Sequence, residues 1–156
     1  MNHSKLPPEQ KFIDLSDFGR PIAQVIANSL KKSFATPIHL TIAFVIAGLI
    51  AIYFILIKIF IVAFIFLILK SILDAADGEL ARIKNTPSYT GRYLDSVSDF
   101  ILNFLILLAI GHVSNTSIIY TVIAFFALEL QGTLYNYYYV ILRRSCLLYT
   151  SDAADE

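Results

Sequence analysis

The chain has 156 residues, enough for one domain, of which 57% are hydrophobic and 15% charged, with a net charge of zero. A soluble domain of this length carries charge on about a quarter of its residues, and a nucleic-acid-binding domain carries a basic excess, so the composition excludes both and points to a bilayer. Cys146 is the only cysteine, and His3, His39 and His112 lie far apart, which excludes an internal disulfide and a cysteine-based zinc site and leaves the histidines as surface or interface residues.

Residues 1–11 read as a disordered N-terminus: Pro7-Pro8 blocks helix, and Met1 to Lys11 is too polar for a signal peptide. Residues 12–35 read as an amphipathic juxtamembrane helix, because Ile22, Val25, Ile26, Leu30 and Phe34 recur at helical spacing while Gln24, Asn28, Lys31 and Lys32 lie elsewhere. Pro21 suits its first turn. A helix of this kind lies on the membrane surface with its basic residues towards the headgroups.

Residues 36–145 form the transmembrane domain. Span one runs from about Thr36 to Ile57, with Thr36-Pro37 at its start, and span two from about Ile59 to Ile83. The turn between them is very short and centres on Lys58, which snorkels to water. Asn85, Pro87 and Ser88 mark a loop, span three follows from about Thr90 to Val113, and the polar segment Ser114 to Ser117 leads to span four, about Ile118 to Leu142. Tyr135, Tyr137, Tyr138 and Tyr139 form an interfacial aromatic belt near its end. The fold class is therefore all-α, a polytopic transmembrane helix bundle of about four spans preceded by an interfacial helix.

Lysine and arginine orient the bundle. Lys5, Lys11, Arg20, Lys31 and Lys32 precede span one, Arg82, Lys84 and Arg92 surround the loop after span two, and Arg143-Arg144 follow span four. The opposite side holds little besides Lys58, and Lys70 lies within span two. The positive-inside rule puts the N-terminus and the loop around Ser88 in the cytoplasm.

Asp74, Asp77, Asp95 and Asp99 fall where spans two and three reach that cytoplasmic side. Ionisable residues within spans are costly and mark function by default. Asp74 and Asp77 are three apart on one helical face, which Gly78 and Ala81 continue, and Asp95 and Asp99 are four apart on another. The short connection predicts that spans two and three are antiparallel neighbours, with the carboxylate pairs facing across a groove. Carboxylates at close range repel, and a hard divalent cation removes the repulsion. The small Gly78 and Ala81 leave room for a ligand or let helices approach closely, and Arg82 offers planar donors to a phosphate. A buried polar cluster, or the gating carboxylates of a channel or scaffold, is the other reading of the aspartates. It has no need of the residues at the remaining offsets. A polyprenyl synthase uses adjacent aspartates, and this chain has no Asp-Asp pair.

The full pattern is Asp74-x-x-Asp77-Gly78-x-x-Ala81-Arg82, eight residues, then Gly91-x-x-x-Asp95-x-x-x-Asp99. It resembles the signature of the CDP-alcohol phosphatidyltransferase family, with all its positions matched, and the resemblance extends over about residues 12–144. One departure is Ile38, where many members have asparagine after Thr-Pro. The resemblance implies two ions, Mg2+ or Mn2+, holding the diphosphate of a CDP-alcohol such as CDP-diacylglycerol. An acceptor hydroxyl attacks the β-phosphorus and CMP leaves, in phospholipid biosynthesis. Carried onto this chain, Asp74, Asp77 and Asp95 are metal ligands, and Asp99 is the general base and also touches the second ion. Gly78, Ala81 and Arg82 border the nucleotide, and Gly91 permits close packing at the start of span three. The stretch Asp77 to Arg82 with Leu94-Asp95-Ser96 is most similar to the branch handling inositol-phosphate-type polyols. The resemblance also implies a bacterial or archaeal cell membrane, a cytoplasmic-face site and a homodimer.

The resemblance implies six spans where about four are read. Residues 146–156 match one reading frame of a transposase adapter used in making sequencing libraries, so they read as a non-native tail. The natural gene is then expected to continue past Ser145, and this fragment to have little or no activity.

Overall fold

The computed structural model describes residues 19–31, 33, 34, 36–84 and 89–152, and every regular element in them is helical. The expected disorder of residues 1–11, the first part of the juxtamembrane helix and the tip of the loop at 85–88 lie outside the described residues.

The helices are α1 (Arg20–Leu30), α2 (Pro37–Leu56), α3 (Phe60–Ile83), α4 (Tyr89–Val113) and α5 (Ile118–Asp152). Proline starts α2 where its missing N–H is no loss. The Thr36 backbone N–H donates to His39 Nδ1 at 3.0 Å, so His39 closes the helix N-terminus. Lys58 turns the chain between α2 and α3 with a φ of 63°, and Asn115 does so between α4 and α5 with a φ of 53°. Each single left-handed residue reverses direction in very few residues.

Among the described residues, three segments are long and apolar enough to cross a membrane: Pro37–Leu56, Tyr89–Val113 and Ile118–Leu142. The fourth expected span, α3, has the length, at 24 residues (about 36 Å). Its composition sets it apart, because Lys70, Asp74, Asp77, Glu79 and Arg82 crowd its C-terminal half.

The described residues within Ser16–Phe125 form one compact unit. Within it α2 is the central helix. Its buried residues Leu40, Thr41, Phe44, Ala47, Gly48, Ala51 and Ile55 recur at helical spacing, and it packs against both α3 and α4. A Cβ at Gly48 would lie 2.9 Å from the Leu102 methyls, so the missing side chain lets α4 come close. Ile55, Ala63 and Ala109 join α2, α3 and α4 in one buried cluster near the Lys58 turn.

α3 and α4 approach each other less closely than either approaches α2. Both pack on α2 instead, and they meet each other through polar side chains. This wider spacing follows from the residues: charged side chains need more room than the alanine and glycine contacts that α2 offers.

α1 packs one face of its helix on α3. Its small residues Ala23 and Ala27 are fully buried against Ala76 and Leu80 of α3, flanked by Ile26 and Leu30. Ile22 and Val25 are left exposed, so the apolar stripe is divided between α3 and the outside. The Lys84 ammonium donates to the Ser33 carbonyl oxygen at 2.7 Å, tying the segment after α1 to the end of α3.

At the α4–α5 turn, Gly111 packs against Thr121, and Phe125 lies edge-on to Phe100 and Phe104 with centroids 5.0 Å apart in each pair. From Phe126 the chain belongs to a second unit. There α5 stays helical to Asp152, with no break at Cys146 where the tail was expected to begin. Tyr135 and Tyr139, one turn apart, stack at 6.2 Å.

Candidate active site

The site lies at the end of the bundle where α3 finishes and α4 begins. On α3, Lys70, Asp74 and Asp77 share one face by their spacing of four and three residues. On α4, Asp95, Asp99 and Asn103 share one face by spacings of four. The Asp74 and Asp95 carboxyls come close to one another between α3 and α4. Two carboxyl groups in that contact hold either a proton or a cation between them. Asp77 is almost fully buried, and its Oδ2 accepts a 2.6 Å hydrogen bond from the Thr41 hydroxyl of α2. Asp99 is more open and pairs with the ammonium of Lys70. Its second oxygen accepts from the Asn103 amide at 3.1 Å. Asp74 thus lies near Asp95, Asp99 and Asp77, each of which has a different partner.

Lys70 is 9% exposed and lies over the Phe44 ring, 5.9 Å from its centroid. Besides Asp99 it donates to Asn103 Oδ1 at 3.3 Å. Its charge also acts on Asp74 and Asp95. Lys70, Thr41 and Asn103 were not among the site residues read from the sequence. Two of them carried a signal: Lys70 precedes Asp74 by one turn, and Asn103 follows Asp99 by one turn. Thr41 carried none, since it is a lone hydroxyl in an apolar span.

The other signature residues border this cleft in sequence. A Cβ at Gly78 would meet nothing within 4 Å, so that position opens onto free space and makes no close helix contact. Ala81 is half-buried, and Gly91 sits half-buried in the first turn of α4. Arg82 reaches back to Glu79 at 2.6 Å, with its side chain 59% exposed. A pair one turn apart and this exposed is worth roughly 0.2–0.5 kcal/mol, so a phosphate can displace it.

Matching residues 34–147 is the family model for CDP-alcohol phosphatidyltransferase. The chain belongs to that family. The match covers α2, α3, α4 and most of α5, and it begins after α1, later than the resemblance read from the sequence. No individually curated protein matches the chain. With three apolar helices of spanning length, this family member is an integral membrane protein, and the family activity is phosphatidyl transfer.

The donor chemistry of this transferase can be tested against a divalent cation. Asp95 Oδ1 is buried and has no hydrogen-bond partner. A buried carboxylate oxygen without a donor is costly, and a hard cation is the partner it fits best beside a second carboxyl. Among the described residues no three Asp, Glu, His or Cys side chains already converge in metal-ligand geometry. The side chains show why: Asp77 is turned to Thr41 and Asp99 to Lys70, leaving Asp74 and Asp95 as the pair at the centre. Asp74 and Asp95 fit the group by ligand type and by the unpartnered oxygen, and Asp77 and Asp99 fit it by ligand type alone.

Proposed function

We propose that this protein transfers a phospho-alcohol group, such as phosphatidyl, from a CDP-alcohol to an acceptor hydroxyl in phospholipid biosynthesis, releasing CMP. The observation that carries this reading is the close approach of the Asp74 and Asp95 carboxyls beside the unpartnered Asp95 Oδ1, with open space at Gly78 one turn along α3 from Asp74. Asp74, Asp77 and Asp95 are the residues to hold Mg2+ or Mn2+, and bound ions would neutralise the diphosphate and the charge of departing CMP. Gly78 gives the diphosphate access to the carboxylates. Arg82 exchanges Glu79 for a phosphate oxygen of the nucleotide.

Asp99 stands apart from the central pair and accepts the proton of the acceptor hydroxyl as that oxygen attacks the β-phosphorus. The bond from the β-phosphorus to the oxygen bridging the two phosphates breaks, and the electron pair leaves with CMP. The concentration of lysine and arginine around the α3–α4 loop supports a cytoplasmic site. A soluble nucleotide on a lipid anchor reaches the site from that side.

The test is CMP release from CDP-diacylglycerol by the purified full-length protein, with a panel of labelled polyol and amino-alcohol acceptors. Turnover is expected with Mg2+ or Mn2+ and is abolished by EDTA. Asp74→Asn, Asp77→Asn and Asp95→Asn are expected to lose Mn2+ binding together with turnover. Asp99→Asn is expected to lose turnover by about 100-fold or more while retaining the nucleotide. Undiminished CMP release in excess EDTA rejects the role of the ions. Metal binding without turnover on any CDP-alcohol favours a non-catalytic carboxylate cluster.

A further inference from the structure

The signature assigns roles to four aspartates and says nothing of the buried ammonium among them. Lys70 is held from three directions. Asp99 pairs with it across the cleft, Asn103 accepts from it at 3.3 Å, and the ring of Phe44, itself fully buried, lies beneath it. Asn103 also donates to the other Asp99 oxygen at 3.1 Å. The three polar groups therefore close a triangle in which both Asp99 oxygens have a donor. Asp95 presents the opposite case, with one oxygen buried and unpartnered.

We infer that Lys70 is a positioning residue that reserves Asp99 from the cation ligand set, working with Asn103 to hold it as the acceptor-side carboxylate. This rests on the proposed transfer reaction. A carboxylate within reach of two ions is drawn to them, because each adds charge attraction. A carboxylate with both oxygens already engaged by a fixed ammonium and an amide has less to gain from moving. The division of labour among chemically identical residues then comes from their neighbours: Asp74 and Asp95 lie against each other, and Asp99 is in direct contact with Lys70. Position on α3 makes this arrangement rigid. Lys70 lies one turn from Asp74, so its backbone moves with the ligand-bearing helix, and its stem is packed rather than free.

The experiment compares full-length wild-type protein with Lys70→Met, Lys70→Arg and Asp99→Asn, and with Lys70→Met combined with Asp99→Asn. Two readouts are needed: steady-state turnover, and Mn2+ affinity without substrate by electron paramagnetic resonance. Lys70→Met is expected to lower kcat by about 10- to 100-fold, with KM for the CDP-alcohol little changed, and Lys70→Arg to retain more of kcat. Lys70→Met is also expected to tighten Mn2+ binding by about tenfold, because Asp99 joins the ligands and affinity follows ligand charge. That tightening is expected to shrink when Asp99 is already asparagine. An equal change in both backgrounds reports lost repulsion alone and overturns the inference, as does unchanged kcat. If Lys70→Met does not fold, Asn103→Leu carries the test: a fall in kcat at constant KM supports the inference, and unchanged kcat overturns it. Wild-type protein that neither binds Mn2+ nor releases CMP overturns the proposed reaction itself. Wild-type protein that does both, with Lys70→Met behaving identically, overturns the role of Lys70 alone.

Discussion

The Thr41 hydroxyl on α2 donates to the Asp77 carboxylate on α3 at 2.6 Å, across 36 residues of sequence. One signature aspartate is therefore oriented by a helix that contributes no aspartate itself. Both groups are buried, so the bond has no water to replace it. Thr41→Val keeps the shape and removes the donor, leaving Asp77 a partner short at a cost of about 1–3 kcal/mol. The thermal midpoint in detergent is expected to fall for Thr41→Val and to be largely kept for Thr41→Ser. Equal midpoints for all three proteins would show that this bond does not matter to the fold.

Gly78 and Gly111 are expected to respond in opposite ways to the same substitution. Gly78 lies within the last two turns of α3, and a methyl group added there would have nothing within 4 Å. Alanine there gains up to about 1 kcal/mol of helix propensity, so stability is expected to hold or rise. The methyl intrudes on the space proposed for the nucleotide, so KM for the CDP-alcohol is expected to rise. A Cβ at Gly111 falls 2.3 Å from Thr121 Oγ1, on a stiff β-branched side chain at the α4–α5 turn. Gly111→Ala is expected to lower the thermal midpoint, and Thr121→Ala in the same protein to recover part of the loss. Thermal unfolding and substrate saturation curves of the three variants check both halves.

The charge asymmetry around the spans predicts that Ser88 faces the cytoplasm and Thr116 the outside. Single cysteines at these positions, in a Cys146→Ser background, are expected to label from opposite sides of intact membrane vesicles. Labelling of Ser88→Cys from the outside would invert the topology and remove the argument for a cytoplasmic site.

The main helices were legible in the sequence because their signals are local. Apolar runs of spanning length, Pro37 after Thr36, the turn at Lys58 and the polar segment Ser114 to Ser117 each act within a few residues, and the starts of α2 to α5 follow them closely. The carboxylate pairs were legible for the same reason, since spacings of three and four fix a shared face on any helix. The burial of α1 was less legible. Ile22 and Val25 dominate its apolar pattern, yet Ala23 and Ala27 make the contact, because closeness to α3 depends on small size rather than on hydrophobicity.

The sequence by itself determined an all-helical membrane chain, the family signature and the four aspartates at one end of two helices. These depend on composition and on distances along the chain. Only the tertiary structure decided that α2 stands against both α3 and α4, that Thr41 holds Asp77, and that Lys70 and Asn103 take Asp99 while Asp74 meets Asp95. Identical aspartates cannot be told apart by sequence, because what separates them is the partner each one finds across a gap, and that partner comes from a different helix.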